Sequence, residues 1–351
     1  MTANEIRRSF LEYFQRHQHR AVASSPLVPH EDPTLLFTNA GMNQFKDLFL
    51  GRERRDYTRA TTAQKCMRVF KGEPGIPRDD DAYDLWRRFL PAERIGELGA
   101  ADNFWQMGDT GPCGRCSEIY YVRGGSGADP EIEIWNNVFM EFERSADGTL
   151  TPLPAPSIDT GMGLERITAV LQGKESNYDT DLFMPLLTRV GELAGVRYGD
   201  NEQTDVSMRV VADHARAMTF LIGDGVIPSN EWRGYVLRKI MRRAMRHGKH
   251  LGFTEPFLHE MVTVLAREMG DAYPDLRTNQ EMIVKTITAE ENRFDAVLKD
   301  GLPRLEAEID KARESGAKVL GGEAAFRLYD TFGVPYDFIE DTAATRGATV
   351  D

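Results

Sequence analysis

A chain of 351 residues is too long for one small domain and predicts about two compact units, while 43 Lys and Arg against 55 Asp and Glu give a net charge of −12, which excludes indiscriminate nucleic-acid binding and confines any such contact to a local basic patch. With 41% hydrophobic residues and no apolar run near the roughly 18 residues needed to cross a bilayer, a membrane-spanning class is excluded and no membrane partner is expected. Cys66, Cys113 and Cys116 are too few and too unevenly placed for a disulfide framework, and the opening MTANEIRRSF has no apolar signal segment, so the expected location is cytoplasmic.

In chain order, residues 5–16 carry Ile6, Phe10, Leu11 and Phe14 at helical spacing, and "SSPLVPHEDPTLLFTNAGM" then supplies turn residues around the short apolar run Leu35 to Phe37. "KCMRVFKGEPGIPRDDDAYDLW", residues 65–86, begins as a strand, passes through a Gly-Pro bridge and resumes as an amphipathic helix. "DNFWQMGDTGPCGRCSEIYY", residues 102–121, places Trp105 in a turn-rich segment that leads into an apolar strand, Ile119 to Val122. Its Cys-x-x-Cys lacks further ligands, since no His or Cys occurs in the fifty residues after Cys116; no zinc, no other metal site and no redox pair is expected.

The most informative strand is "EIEIWNNVFMEFER", residues 131–144, whose period of two puts Ile132, Ile134, Asn136, Val138, Met140 and Phe142 on one face. Asn136 is the one polar side chain in that series, and it either satisfies backbone groups or serves a ligand. After the turn-forming run "LTPLPAPS", "IDTGMGLERITAVL", residues 158–171, reads as strand end, Gly-x-Gly and helix start. Gly161 and Gly163 remove side chains where a ligand can approach backbone, the helix terminus with Arg166 favours an anion, and Asp159 suits an ammonium group. The bland alternatives are turn glycines and a helix cap.

Beyond about residue 177 the pattern is almost entirely helical, which sets the expected domains at 1–176 and 177–351. In "RGYVLRKIMRRAMRHGKH", residues 233–250, an apolar stripe opposes Arg238, Lys239, Arg242, Arg243 and Arg246, with no acid in the run. That face is either simply solvated or a phosphate-contacting surface. Residues 280–315 predict two helices or one kinked one, interrupted at Gly301 and Pro303.

The stretches "ASSPLVPHEDPTLLFTNAGMNQFKDLFLG", "DNFWQMGDTGPCGRCSEIYY", "EIEIWNNVFMEF", "IDTGMGLERI", "DGVIPSNEWRGYVLRKIMRRAMRHG" and "AFRLYDTFGVPYD" closely resemble the N-terminal part of the alanyl-tRNA synthetases, class II aminoacyl-tRNA synthetases, over nearly the whole chain. The resemblance implies an α+β fold, a class II antiparallel sheet flanked by helices for aminoacylation and then a helical domain for the tRNA acceptor stem. It implies that Arg68 grips the α-phosphate of ATP, that Arg166, with Gly163 beside it, holds the triphosphate, and that both arginines are catalytic. Trp105, Asn136 and Gly161 would shape the alanine pocket and Asp159 would pair with the ammonium. Asn230 and Asp330 would read the G·U pair of the alanine tRNA, and Arg238, Arg242 and Arg246 would contact its phosphates. The implied reaction is activation of L-alanine by ATP with Mg2+ and transfer to the 3′ end of tRNA(Ala), carried by positioning and charge neutralisation.

Two departures from the family stand out. The chain stops at "EDTAATRGATVD", where family members continue into an editing domain and a C-terminal domain, and a methyl-sized pocket separates alanine from glycine or serine by only about 1 to 3 kcal/mol; error-prone charging is expected unless editing comes from another chain. Several dozen residues are also missing between the Cys-x-Arg strand and "DDDAYDLW", where the family completes its second motif and covers the adenine ring. "VFKGEPGIP", with Pro74 and Pro77, lacks the N–H groups of a central strand. A working alanine–tRNA ligase and a non-catalytic or weakened relative that binds the acceptor stem are therefore the two expected classes.

Overall fold

The computed structural model describes residues 1–29, 32, 34–67, 79–99, 103–123, 131–314, 316 and 318–351, the side chain of Asp337 excepted. Two compact units result, Met1–Met184 and Pro185–Asp351. The first opens with helix α1, Ala3–Arg16, closed at its start by reciprocal Thr2 and Glu5 hydrogen bonds that satisfy amides a helix end leaves bare. Two short parallel strands follow, β1 (Arg20–Ala21) and β2 (Ala60–Thr61), with α2 (Lys46–Phe49) between them and α3 (Asp80–Trp86) after them. Asp79 caps α3 through the Ala82 amide.

The frame of this unit is a four-stranded antiparallel sheet in the order β3 (Phe104–Gln106), β4 (Gly111–Val122), β5 (Glu131–Arg144) and β6 (Leu150–Met162). Strand β5 has the limits its alternation predicts. The turn-rich "GPCGRC", however, is already strand: β4 starts at Gly111, well before Ile119. The reason is Gly114, where a Cβ would overlap the Phe139 carbonyl oxygen, so the glycine permits close approach of two backbones beside a register shift between Cys113 and Cys116. Gly114→Ala is expected to cost the sheet about 3 kcal/mol, read as an earlier urea transition in the unit that contains it. "LTPLPAPS" is likewise strand and not turn. Its prolines are tolerated because β6 is the sheet edge and its ladder with β5 is irregular between Met140 and Phe142.

One face of the sheet carries the core formed by Leu35, Ala40, Met42, Met107, Cys116, Val138, Met140 and Leu153, against which Phe49, Leu50 and Trp105 pack. On the other face Phe10 of α1 meets Trp135, with ring centroids 5.9 Å apart, and Trp86 of α3 donates to Ser117 Oγ at 2.9 Å. Helix α4, Leu164–Leu171, begins two residues after β6 ends.

The second unit contains α5 (Met184–Ala194, starting at the division), α6 (Glu202–Gly223), α7 (Trp232–His250), α8 (His259–Met269), α9 (Asp275–Thr278), α10 (Gln280–Glu314), α11 (Gly322–Asp330) and α12 (Tyr336–Thr345), plus a parallel pair of two-residue strands, Val319–Leu320 and Thr349–Val350. No helix among the described residues is long and apolar enough to cross a membrane. Helix α10 runs as one helix through Pro303 rather than as the two helices that the Pro and Gly allowed, and Gly301 lets Val334 lie against it. Its buried Glu291 reaches sideways, Oε1 accepting from the Phe257 and Leu258 amides at 2.9 and 3.0 Å, and so caps the turn that opens α8. Burial pushes that carboxyl above its ordinary range.

Candidate functional site

Strand register assembles the site. Glu118 of β4 lies opposite Asn136 of β5, which lies opposite Gly161 of β6; in the adjacent row Cys116, Val138 and Asp159 are opposed in the same way. Alternation along each strand puts both rows on one face, the face whose buried Cys116 and Val138 belong to the core against which Trp105 packs. Trp105, Asn136, Asp159 and Gly161 are thus brought together on one side of the sheet.

The polarity of this face is unusual. Asp159 is half-buried and has no hydrogen bond or ion pair among the described residues, and burial pushes its carboxyl up to about 6. Asn136 Nδ2 donates to Glu118 Oε1 at 2.6 Å, while its Oδ1 is buried without a partner among the described residues. Among the described residues a Cβ added to Gly161 would meet nothing within 4 Å, so the third member of the row carries no side chain and leaves a gap there. An unpaired carboxylate and an orphaned amide oxygen beside a side-chain-sized gap form an acceptor-rich site for a small donor-bearing ligand. Cys113 and Cys116 are both buried, which raises their thiols to about 11 and about 12 and keeps them protonated at neutral pH. Among the described residues no group of three or more His, Cys, Asp or Glu could hold a metal ion.

Gly163 is the residue before α4 and has φ −70°, so its backbone needs no glycine; a Cβ there would touch the Arg166 stem at 3.7 Å. Arg166 Nη1 donates to the Glu133 carbonyl at 3.0 Å and to Glu133 Oε2 at 2.8 Å. Beta-strand pairing of β5 with β6 begins at Trp135, so this arginine fills an acceptor position that β6 leaves open. Its side chain remains 46% exposed, with its other nitrogens unengaged among the described residues. Arg68 and the bridge beyond it lie outside the described residues.

In the helical unit α7 does not oppose a single free basic stripe to its apolar one. Arg238 and Arg242 turn toward α10, with Nε atoms 3.0 and 3.4 Å from Oε1 of Glu290, whose side chain is 1% exposed; Arg246 pairs with Asp341 of α12 at 3.5 Å. Arg242 also lies over the Phe294 ring at 5.1 Å. The exposed cations of the helix include Lys239 and Arg243. Part of a run without acids in its own sequence is thus paired with acids far along the chain, which local pattern cannot reveal. Asn230 is exposed just before α7 and its Oδ1 accepts from Arg238 Nη1. Asp330 ends α11, exposed and without a partner among the described residues.

Sequence reasoning missed Glu118, Glu133 and Glu290. A signal for Glu290 exists: Ile283, Ile287, Phe294 and Leu298 form the buried stripe of α10, and the acids 290 and 291 interrupt that stripe at positions due an apolar residue.

The profile of the family described as tRNA synthetases class II (A) matches residues 5–73 and 75–351. The alanine–tRNA ligase of Anaeromyxobacter sp. (strain Fw109-5) is 47% identical over 444 aligned residues, covering 100% of this chain and 49% of the relative. Those of Nitratidesulfovibrio vulgaris and Magnetococcus marinus are 46% and 48% identical over 418 residues, covering all of this chain and 48% and 47% of the relatives. The chain spans about half the length of the curated relatives it matches. Alignments of 444 and 418 positions against 351 residues mean that the relatives carry residues this chain lacks inside the matched span, and the family profile breaks at Pro74, within the Gly-Pro bridge. With its antiparallel sheet, flanking helices and profile match over both units, the chain belongs to the class II (A) family of tRNA synthetases.

Proposed function

We propose that this chain is an alanine–tRNA ligase: it activates L-alanine with ATP and passes it to the 3′ end of tRNA(Ala). The observation that carries the reading is the Asp159 carboxylate and Asn136 Oδ1, neither with a partner among the described residues, beside the gap those residues leave at Gly161. An amino acid with a methyl side chain supplies an ammonium to the two acceptors and little else to fill the gap. The names of the relatives, alanine–tRNA ligase, support the same choice. Trp105 walls the pocket, Arg166 and Gly163 face the triphosphate, and Arg68 takes the α-phosphate. Magnesium enters on the triphosphate, its usual carrier. Asn230 and Asp330 read the acceptor stem; Arg238 supports Asn230, Arg242 and Arg246 hold α7 in place, and Lys239 and Arg243 meet phosphate.

The test is alanine-dependent exchange of pyrophosphate into ATP by the full chain, beside binding of an acceptor-stem minihelix with and without its G·U pair. Exchange that Arg68→Ala abolishes supports the ligase; G·U-dependent binding without exchange favours a non-catalytic tRNA-binding relative. Gly161→Ala adds a methyl group that clashes with none of the described residues, so stability is expected to stay within about 0.5 kcal/mol. The same methyl group occupies alanine's space, and the preference for alanine over glycine is expected to fall about tenfold.

A further inference from the structure

We propose that Glu118 is a positioning residue of the amino-acid pocket, holding the Asn136 amide so that its oxygen is presented to the substrate's ammonium group. The inference rests on reading this sheet face as the amino-acid site.

A side-chain amide has a donor end and an acceptor end of almost the same shape, and which end faces a ligand is decided by its other neighbours. At Asn136 that neighbour is Glu118, directly across the ladder. An ionised carboxylate only accepts, so at 2.6 Å from Glu118 Oε1 the amide must present Nδ2, and planarity turns Oδ1 away from Glu118. Glu118 is itself held, because Tyr120 Oη donates to its Oε2 at 2.6 Å. The outcome is a buried oxygen without a partner among the described residues, on the same face as the Asp159 carboxylate. A flipped amide would set Nδ2, a donor, against the ammonium and leave two carbonyl-type acceptors facing each other at Glu118. Burial of an unpaired acceptor is tolerable where a ligand satisfies it. An ammonium has three donors to share, and Asp159 alone does not exhaust them.

Glu118→Gln tests this, since glutamine keeps the size of the side chain but can donate, so that Asn136 is free to flip. The probes are the sulfamoyl analogue of alanyl adenylate and the same compound without its α-amino group, titrated against the full chain. The wild type is expected to prefer the amino form strongly. In Glu118→Gln that preference is expected to drop about tenfold, about 1.4 kcal/mol by the same arithmetic, with binding of the des-amino compound unchanged. Glu118→Asp, still acceptor-only, is expected to recover part of the preference. A wild type that binds both compounds equally overturns the amino-acid reading of the face, and the role of Glu118 with it. A wild type that prefers the amino form together with a Glu118→Gln variant of undiminished preference overturns the positioning role alone. Equal weakening of both compounds in the two variants also overturns it, since a merely structural residue would act that way.

Discussion

Asp159→Asn is expected to make the sheet unit more stable at neutral pH while lowering alanine activation, as kcat/KM in pyrophosphate exchange, by about 100-fold or more. The two effects share one cause. The Asp159 carboxyl lies in a half-buried place with no partner among the described residues, and burial raises it from 3.8 to about 6. Because the folded value is above the unfolded one, the folded chain takes up a proton between them. The stability this group allows is therefore complete below about pH 4, falls as pH rises to 6, and stays reduced above. Discounted for residual solvent contact, the loss at neutral pH is about 2 kcal/mol. Unfolding by urea between pH 4 and 7 should show that decline in the wild type and not in the asparagine variant, which has nothing to ionise there. On the proposed reading, the carboxylate persists because its charge is what the substrate's ammonium needs, and the ammonium in turn stabilises the ionised form. A variant that loses activity without gaining stability, or that gains neither pH independence nor stability, would contradict the idea that this is a carboxylate kept unpaired for a ligand.

Much of the sheet was legible because alternation is a local property: Glu131–Arg144 is a strand whatever surrounds it, and the strand, Gly-x-Gly, helix order at residues 158–171 is visible in residue types alone. The misreadings came where an ordinarily strand-breaking composition is licensed by distant structure. Gly111 to Cys116 is strand because Phe139 approaches Gly114, and Pro152, Pro154 and Pro156 sit in a strand because β6 has nothing on its outer side to pair with among the described residues.

For the site, Asn136 was conspicuous as a polar residue in an apolar series, and Asp159 and Gly161 by their place near the end of a strand. What gives these residues chemical meaning is register. That Asn136 faces Glu118 on one side and Gly161 on the other depends on pairings between strands separated by loops, and no spacing within one strand encodes it. Missing the upstream part of β4 hid Glu118 as well, since it had no assigned face. The same limit applied to α7, whose basic side looked free only because its carboxylate partners are contributed by α10 and α12.

The largest stability effect is expected at Glu290. Its side chain is 1% exposed, yet it carries a charge opposed by Arg238, Arg242 and Arg293 at 3.0, 3.4 and 2.9 Å. Arg238 and Arg242 are themselves largely covered, with 11% and 18% of their side chains exposed. Glu290→Ala leaves two largely desolvated guanidinium groups beside a cavity, and removal of one partner from a buried ionic group costs about 3 to 5 kcal/mol. The urea transition of the helical unit should move accordingly. Glu290→Gln keeps the volume and loses the charge, and a smaller loss is expected. If Asn230 reads the acceptor stem as proposed, the consequence extends to RNA recognition, because Arg238 connects Glu290 to Asn230: it donates to the Asn230 side chain and to the Pro228 carbonyl at 3.2 Å. With the anchor neutralised, Arg238 no longer fixes the asparagine, so Glu290→Gln should bind the minihelix with less preference for the G·U pair, while the contribution of exposed Lys239 and Arg243 to overall affinity persists. Combining Glu290→Met with Arg238→Met separates the two roles. The double substitution removes Glu290 and one of its two largely covered arginines, leaving Arg242, and should recover part of the stability lost in Glu290→Ala, yet it cannot recover the G·U preference if Arg238 is what holds Asn230. A stable double variant with full G·U preference would break the link between the buried carboxylate and Asn230 and leave Glu290 as a packing element only.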